Sequence, residues 1–169
     1  MNSLIEKYIA NNKFGASLGM HFSIITEGEI NYYLKITPDH LATPLSAHGG
    51  VISALADAAL GVCALSGVYK ENKVVSTVEY KINFLAPALV NDELTAHAKI
   101  LQKGKRILIV ECTIFSNHLP HAVREYPRNE GEGEKNPPVD FAKQKTGEGK
   151  LIAKAIGTFN AYDSSKAGY

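Results

Sequence analysis

The sequence predicts an α+β domain in which a curved antiparallel sheet wraps one long helix. Three observations carry this. The stretch Gly49 to Ser66 is an apolar helical run whose single charge is Asp57. Directly after it, from Val74, the hydrophobic period switches from helical to two. Strand patterns then recur as hairpins, one pair before the helix and four strands after it. A helix apolar on nearly all sides must be buried on nearly all sides, and a flat sheet covers one side only. The rest of the cover requires curvature or a second subunit.

The elements follow in order. Ser3-Leu4-Ile5-Glu6 has capping-box spacing, and Leu4, Ile5, Tyr8 and Ile9 share a helical face. This predicts a short amphipathic helix, broken by Gly15 and Gly19. His21 to Thr26 and Ile30 to Ile36 read as strands around a turn at Glu27-Gly28-Glu29. Pro38 to Ser46 reads as a loop, and the long helix follows. Val74, Ser76, Val78, Tyr80, Ile82 and Phe84 then alternate with Val75, Thr77, Glu79, Lys81 and Asn83, which predicts a regular strand with Thr77 on its polar face. Pro87 ends it. Glu93 to Gln102 and Arg106 to Ser116 form a hairpin about Lys103-Gly104-Lys105, and Leu151 to Tyr162 is the last strand. Asp163 to Tyr169 reads as a frayed tail.

Asn117 to Gly149 differs in kind. It holds four prolines and the run Glu130-Gly131-Glu132-Gly133-Glu134. Loops of such length are usually functional or disordered. The 169 residues are therefore expected to form a single domain, 1–169, with a long loop insertion at about 117–149.

Composition narrows the function. Hydrophobic residues make up 45%, charged residues 21%, and the formal net charge is +1. Nothing global points to nucleic acid or to a membrane surface. The N-terminus lacks a basic leader with an unbroken apolar stretch, and no run is expected to approach the roughly 18 apolar residues a spanning helix needs. A cytoplasmic protein is expected. Cys63 and Cys112 lie inside apolar runs and read as buried reduced thiols. No Cys-x-x-Cys or His-Glu-x-x-His spacing is present, so no metal or redox cofactor is implied.

The candidate chemistry lies in His48-Gly49-Gly50 and Asp57. A carboxylate on an apolar helix is costly to bury unless it is hydrogen-bonded, paired or used. Glycines at the helix start leave backbone N–H groups open to close approach, and the helix dipole favours negative charge there. A bare helix N-terminus and a lone acid are the two halves of a hydrolytic site: an oxyanion donor and a general base or nucleophile.

His48-Gly49-Gly50 followed by Leu55-Ala56-Asp57, then Phe84-Leu85-Ala86-Pro87-Ala88 closing a strand, resembles the hotdog-fold acyl-CoA thioesterases of the PaaI-like group. The closing segments Gly149-Lys150-Leu151-Ile152-Ala153 and Gly157-Thr158-Phe159 are similar to that family's last strand. The resemblance implies a hotdog fold and hydrolysis of an acyl-CoA to a carboxylic acid and CoA, with CoA arriving as part of the substrate. It places Asp57 at the catalytic acid, Gly49 at the backbone oxyanion donor and His48 at the motif histidine. Thr77 falls at a position that often holds a hydroxyl near the reacting centre. It implies a homo-oligomer, a dimer or a dimer of dimers (a homotetramer), with sites shared so that Asp57 and Thr77 come from different subunits. Relatives carry an Asn six residues before the motif His; Ala42 stands there, among Asp39, His40, Thr43 and Ser46. A hotdog hydratase or dehydratase and a non-catalytic acyl-CoA-binding module are the rival expectations. Lys99, Lys103, Lys105 and Arg106 around the hairpin turn read equally as CoA-phosphate ligands and as a solvated turn.

Overall fold

Six antiparallel strands wrap one central helix in a computed structural model that describes residues 3–117 and 149–168. The insertion 118–148 and the Ser3 side chain of the expected capping box lie outside what is described. The elements are α1 (Ser3–Asn11), α2 (Lys13–Ser17), β1 (His21–Thr26), β2 (Glu29–Lys35), α3 (Gly49–Ser66), β3 (Lys73–Phe84), β4 (Glu93–Lys103), β5 (Ile107–Ser116) and β6 (Lys150–Asp163). The sheet order is β1-β2-β4-β5-β6-β3, so β1 and β3 are its edges. This is the α+β architecture the periodicity predicts.

Two terminal expectations are corrected. Gly15 does not break the N-terminal helix but lies inside α2, whose start is capped by the Asn12 side chain accepting from the Gly15 N–H at 3.0 Å. The tail is not frayed over Ser164–Ala167, which form a 3-10 turn. Asp163 caps that turn, and buried Ser164 bonds Asn72 through both backbone and side chain.

Small side chains let α3 sit deep in the sheet. The inward positions of β6 include Ala153, Ala155, Gly157, Phe159 and Ala161, and those of β4 include Ala96 and Ala98, all buried. The helix answers with buried Ala56, Ala59 and Ala64 beside Leu55, Leu60 and Val62. Close approach with dense packing of this kind excludes water from a large apolar area. Among the described residues, α3 is the one helix long and apolar enough to cross a membrane, against the expectation that no run approaches that length; here it is a core helix. Its cover is incomplete along one stripe, where Gly50, Ser53, Ala54, Asp57, Ala58 and Gly61 remain partly or fully exposed. These residues recur at helical spacing, so they form one face.

The far end of α3 is tied down by charge. Lys103 Nζ donates to Gly67 O at 2.7 Å and to Glu71 Oε1 at 2.7 Å. A cation at a helix C-terminus meets unpaired carbonyls and the negative end of the dipole. Lys103 is thus engaged within the fold. It and Lys73 hold the Glu71 carboxyl at about 2, below its usual 4.5. Cys63 and Cys112 are both buried and reduced, and burial pushes the Cys63 thiol up to about 12 and raises Cys112 as well.

Two outcomes follow. Neither thiol should react with a disulfide reagent in the native state, and both should react after denaturation, as read by absorbance. A depressed carboxyl contributes stability above its unfolded value and loses it as pH falls towards the folded one. Glu71→Gln should therefore flatten the small loss of stability between pH 4.5 and about 2, measured as urea midpoints; Glu71 is solvent-exposed, which keeps the effect modest.

Candidate active site

The start of α3 is organised by His48. It is the N-cap residue, with extended backbone at φ −64°, ψ 134°, and its Nδ1 accepts the Gly50 N–H at 2.8 Å. That bond assigns the ring proton to Nε2. The close fold-back explains the second glycine: a Cβ on Gly50 would lie 2.8 Å from His48 Nδ1. Gly49 has no such conflict, since a Cβ there would meet only the Phe84 ring, at 3.7 Å. The two glycines therefore divide the work. The Gly50 N–H is used by the cap, and the Gly49 N–H is exposed and makes no hydrogen bond among the described residues.

Asp57 lies on the uncovered stripe of α3, half-buried rather than in the core. Its Oδ1 accepts from Thr77 Oγ1 at 3.1 Å. Its Oδ2 has no partner among the described residues, and no Lys or Arg pairs with it there. The carboxylate is thus oriented by one hydroxyl and open at the other oxygen.

The contact with Thr77 corrects two expectations. Thr77 and Asp57 meet within one chain, not across subunits. Thr77 also reaches the helix while staying exposed, and the strand beyond it is not regular. Its register against β6 shifts between Thr77 and Glu79, leaving Val78 as an extra residue. A bulge inverts the alternation beyond it. Val75 and Thr77 before the bulge, and Tyr80 and Ile82 after it, all turn towards α3 and the core. Phe84 follows in phase and reaches Gly49. Strand and helix therefore run antiparallel, with Phe84 beside Gly49 and Thr77 beside Asp57.

The polar neighbours of Ala42 are occupied elsewhere. His40 is buried, and its Nδ1 accepts the Thr37 N–H at 3.2 Å. Thr43 and Ser46 bond each other at 2.6 Å, and the Thr43 hydroxyl accepts the Ser46 N–H. Asp39 is exposed. None of the four side chains bonds Gly49, Asp57 or Thr77 among the described residues. No group of three His, Cys, Asp or Glu able to hold a metal occurs among the described residues.

Comparison places this geometry among known proteins. The thioesterase superfamily model matches residues 46–119, the stretch that carries His48, Gly49, Asp57, Thr77 and Phe84. A thioesterase family protein from Silicibacter pomeroyi superposes with a TM-score of 0.71 at 21% identity, over 94% of this chain and 96% of that one. The Escherichia coli PaaI protein of the phenylacetic acid degradation operon gives 0.69 at 20% identity, over 94% and 90%. A hypothetical thioesterase from Streptococcus pneumoniae, solved with coenzyme A, gives 0.62 at 17% identity, over 85% and 86%. The fold is the hotdog fold these proteins share. No curated protein sequence is matched.

The cap makes its own prediction. His48→Ala should lower unfolding stability by about 1 kcal/mol, the usual scale of a lost N-cap. His48→Asn, whose side chain can accept the same N–H, should recover most of it, as read from denaturant midpoints.

Proposed function

We propose that this hotdog-fold chain belongs to the thioesterase superfamily and hydrolyses acyl-CoA thioesters, with Asp57 as the general base and the Gly49 N–H as the oxyanion donor. One observation carries the reading: the sole unpartnered N–H at the start of α3 and the sole acid of that helix are both held open towards solvent. Water attacks the thioester carbon while Asp57 Oδ2 takes its proton. Negative charge develops on the carbonyl oxygen, where the Gly49 N–H and the helix dipole stabilise it. Collapse of the tetrahedral intermediate breaks the C–S bond. CoA leaves as the thiolate and takes up a proton, and the acid is released. Thr77 orients the carboxylate, and His48 fixes the helix start. The coenzyme A in the pneumococcal neighbour supports a CoA-type ligand.

The proposed roles of Gly49 and Asp57 call for a second copy of the chain. Gly49 and Asp57 are eight residues apart on α3, or about 12 Å along the axis at roughly 1.5 Å per residue. No single thioester carbon lies within reach of both in one chain. β3 supplies the means of joining two. It is a 12-residue edge strand, exposed from Ser76 to Glu79, with unpaired backbone groups ready to bond another strand. The other edge, β1, is half as long at 6 residues and bulged between Ile24 and Thr26. Antiparallel pairing of two β3 strands about a two-fold axis between Thr77 and Phe84 brings the Gly49 end of one protomer to the Asp57 end of its partner. Each site then uses Asp57 and Thr77 from one protomer and Gly49 from the other.

A second reading, an acyl-CoA-binding module without turnover, is favoured by Ala42 alone. Tight binding across short, medium, long and aryl acyl-CoAs with no release of CoA would select it. Hydration of crotonyl-CoA would select a hydratase instead.

Asp57→Asn should keep the fold and lower turnover at least about a hundredfold. Gly49→Pro is the sharper variant. Gly49 is the first helical residue, where proline is tolerated, and the extended backbone of His48 suits a following proline. The substitution removes the one free N–H and should cost roughly a hundredfold or more in kcat, whereas Gly49→Ala keeps the N–H and has room. Co-expressing the Gly49→Pro and Asp57→Asn chains should restore roughly a quarter of wild-type activity, because half of random pairs carry one intact site. Wild-type rates in either single variant, or no restoration in the mixture, would refute the shared site.

A further inference from the structure

We propose that Phe84 is the aromatic wall of the oxyanion site and touches the thioester group itself. The proposal rests on Gly49 being the oxyanion donor. Phe84 is the last residue of β3, and its ring tip stands 3.7 Å from where a Cβ of Gly49 would be. The side chain is 53% exposed, so one side of the ring covers the helix start and the other is open to a ligand. Three bonds fix the backbone of the three residues that follow Phe84. The N–H groups of Leu85 and Ala86 both donate to Ile152 O, at 2.8 and 3.2 Å, and Lys150 Nζ donates to Pro87 O at 2.7 Å. In the proposed β3 pairing the open part of this ring lies at the junction of the two chains, where the shared site is, so a partner strand and a bound ligand together can cover it.

Its position beside Gly49 says what part of a ligand it would meet. In this proposal a carbonyl oxygen bonded to the Gly49 N–H sets the thioester carbon and its two neighbours beside the ring that borders Gly49. The acyl chain beyond runs further away. The ring displaces water from the oxyanion and lowers the local dielectric, which strengthens the N–H bond as charge develops. The Val78 bulge is what turns Phe84 to this side: without the register shift, Phe84 and Thr77 would face opposite ways.

The contact being with the thioester, its loss should not depend on acyl length. Phe84→Ala should lower kcat/KM about tenfold, by the same factor for acetyl-CoA and decanoyl-CoA. A factor that grows with chain length, or no loss at all, overturns the proposal. A second variant reads the contact without turnover. The chain has no tryptophan, so Phe84→Trp introduces its only indole. The probe is a hexanoyl-CoA analogue with methylene in place of sulfur, which keeps the carbonyl and cannot be hydrolysed. Its binding, measured in parallel by calorimetry, should shift the indole emission. Binding without a shift overturns the role of Phe84. A shift in a protein whose wild type turns over no acyl-CoA keeps Phe84 at the ligand and overturns hydrolysis. No binding overturns both.

Discussion

The structure depends on how deeply α3 can sit in its sheet. Alanines and a glycine on the inward faces of β4 and β6 let the helix approach closely, and its own alanines complete the fit. Burial of that kind is the main source of stability in a domain this size. It also decides where an acid can be placed. In the core, Asp57 would need full compensation for lost hydration. On the stripe beside the edge strand it needs only one hydroxyl, and one of its oxygens stays available.

Two irregularities shape the candidate site on this scaffold. His48 folds over the helix start and uses the Gly50 N–H, which leaves Gly49 as the single open donor. Val78 adds a residue to β3 and brings Thr77 and Phe84 onto the helix side together. Both are local departures from regular structure, and each sets the direction of a group that would otherwise be misplaced. In the proposed function, the wide spacing of Gly49 and Asp57 along a rigid helix calls for two chains, paired along the longer of the two sheet edges.

The central part of the fold was legible in the sequence. The order of strands around one helix, the limits of α3 at Gly49 and Ser66, and the buried thiols follow from period, turn residues and apolar runs, all of which act over short range. The acid and the glycines were visible because each is chemically odd in its setting. The bulge was not, since Val78 fits an uninterrupted alternation and the shift is defined only against β6. The division between Gly49 and Gly50 was not either, since it depends on where an imidazole ring folds back. The ordered turn at Ser164–Ala167 depends on Asn72, which is 92 residues away in the chain.

By itself, then, the sequence marked which residues are chemically unusual in their setting and what kind of layered domain holds them, because helix and strand periods and charge burial are encoded locally. The tertiary structure alone decided which groups share a face, which N–H is free and which acid oxygen is open. Those depend on register and close contact between segments far apart in the chain, and a one-residue shift in register reverses every side chain beyond it.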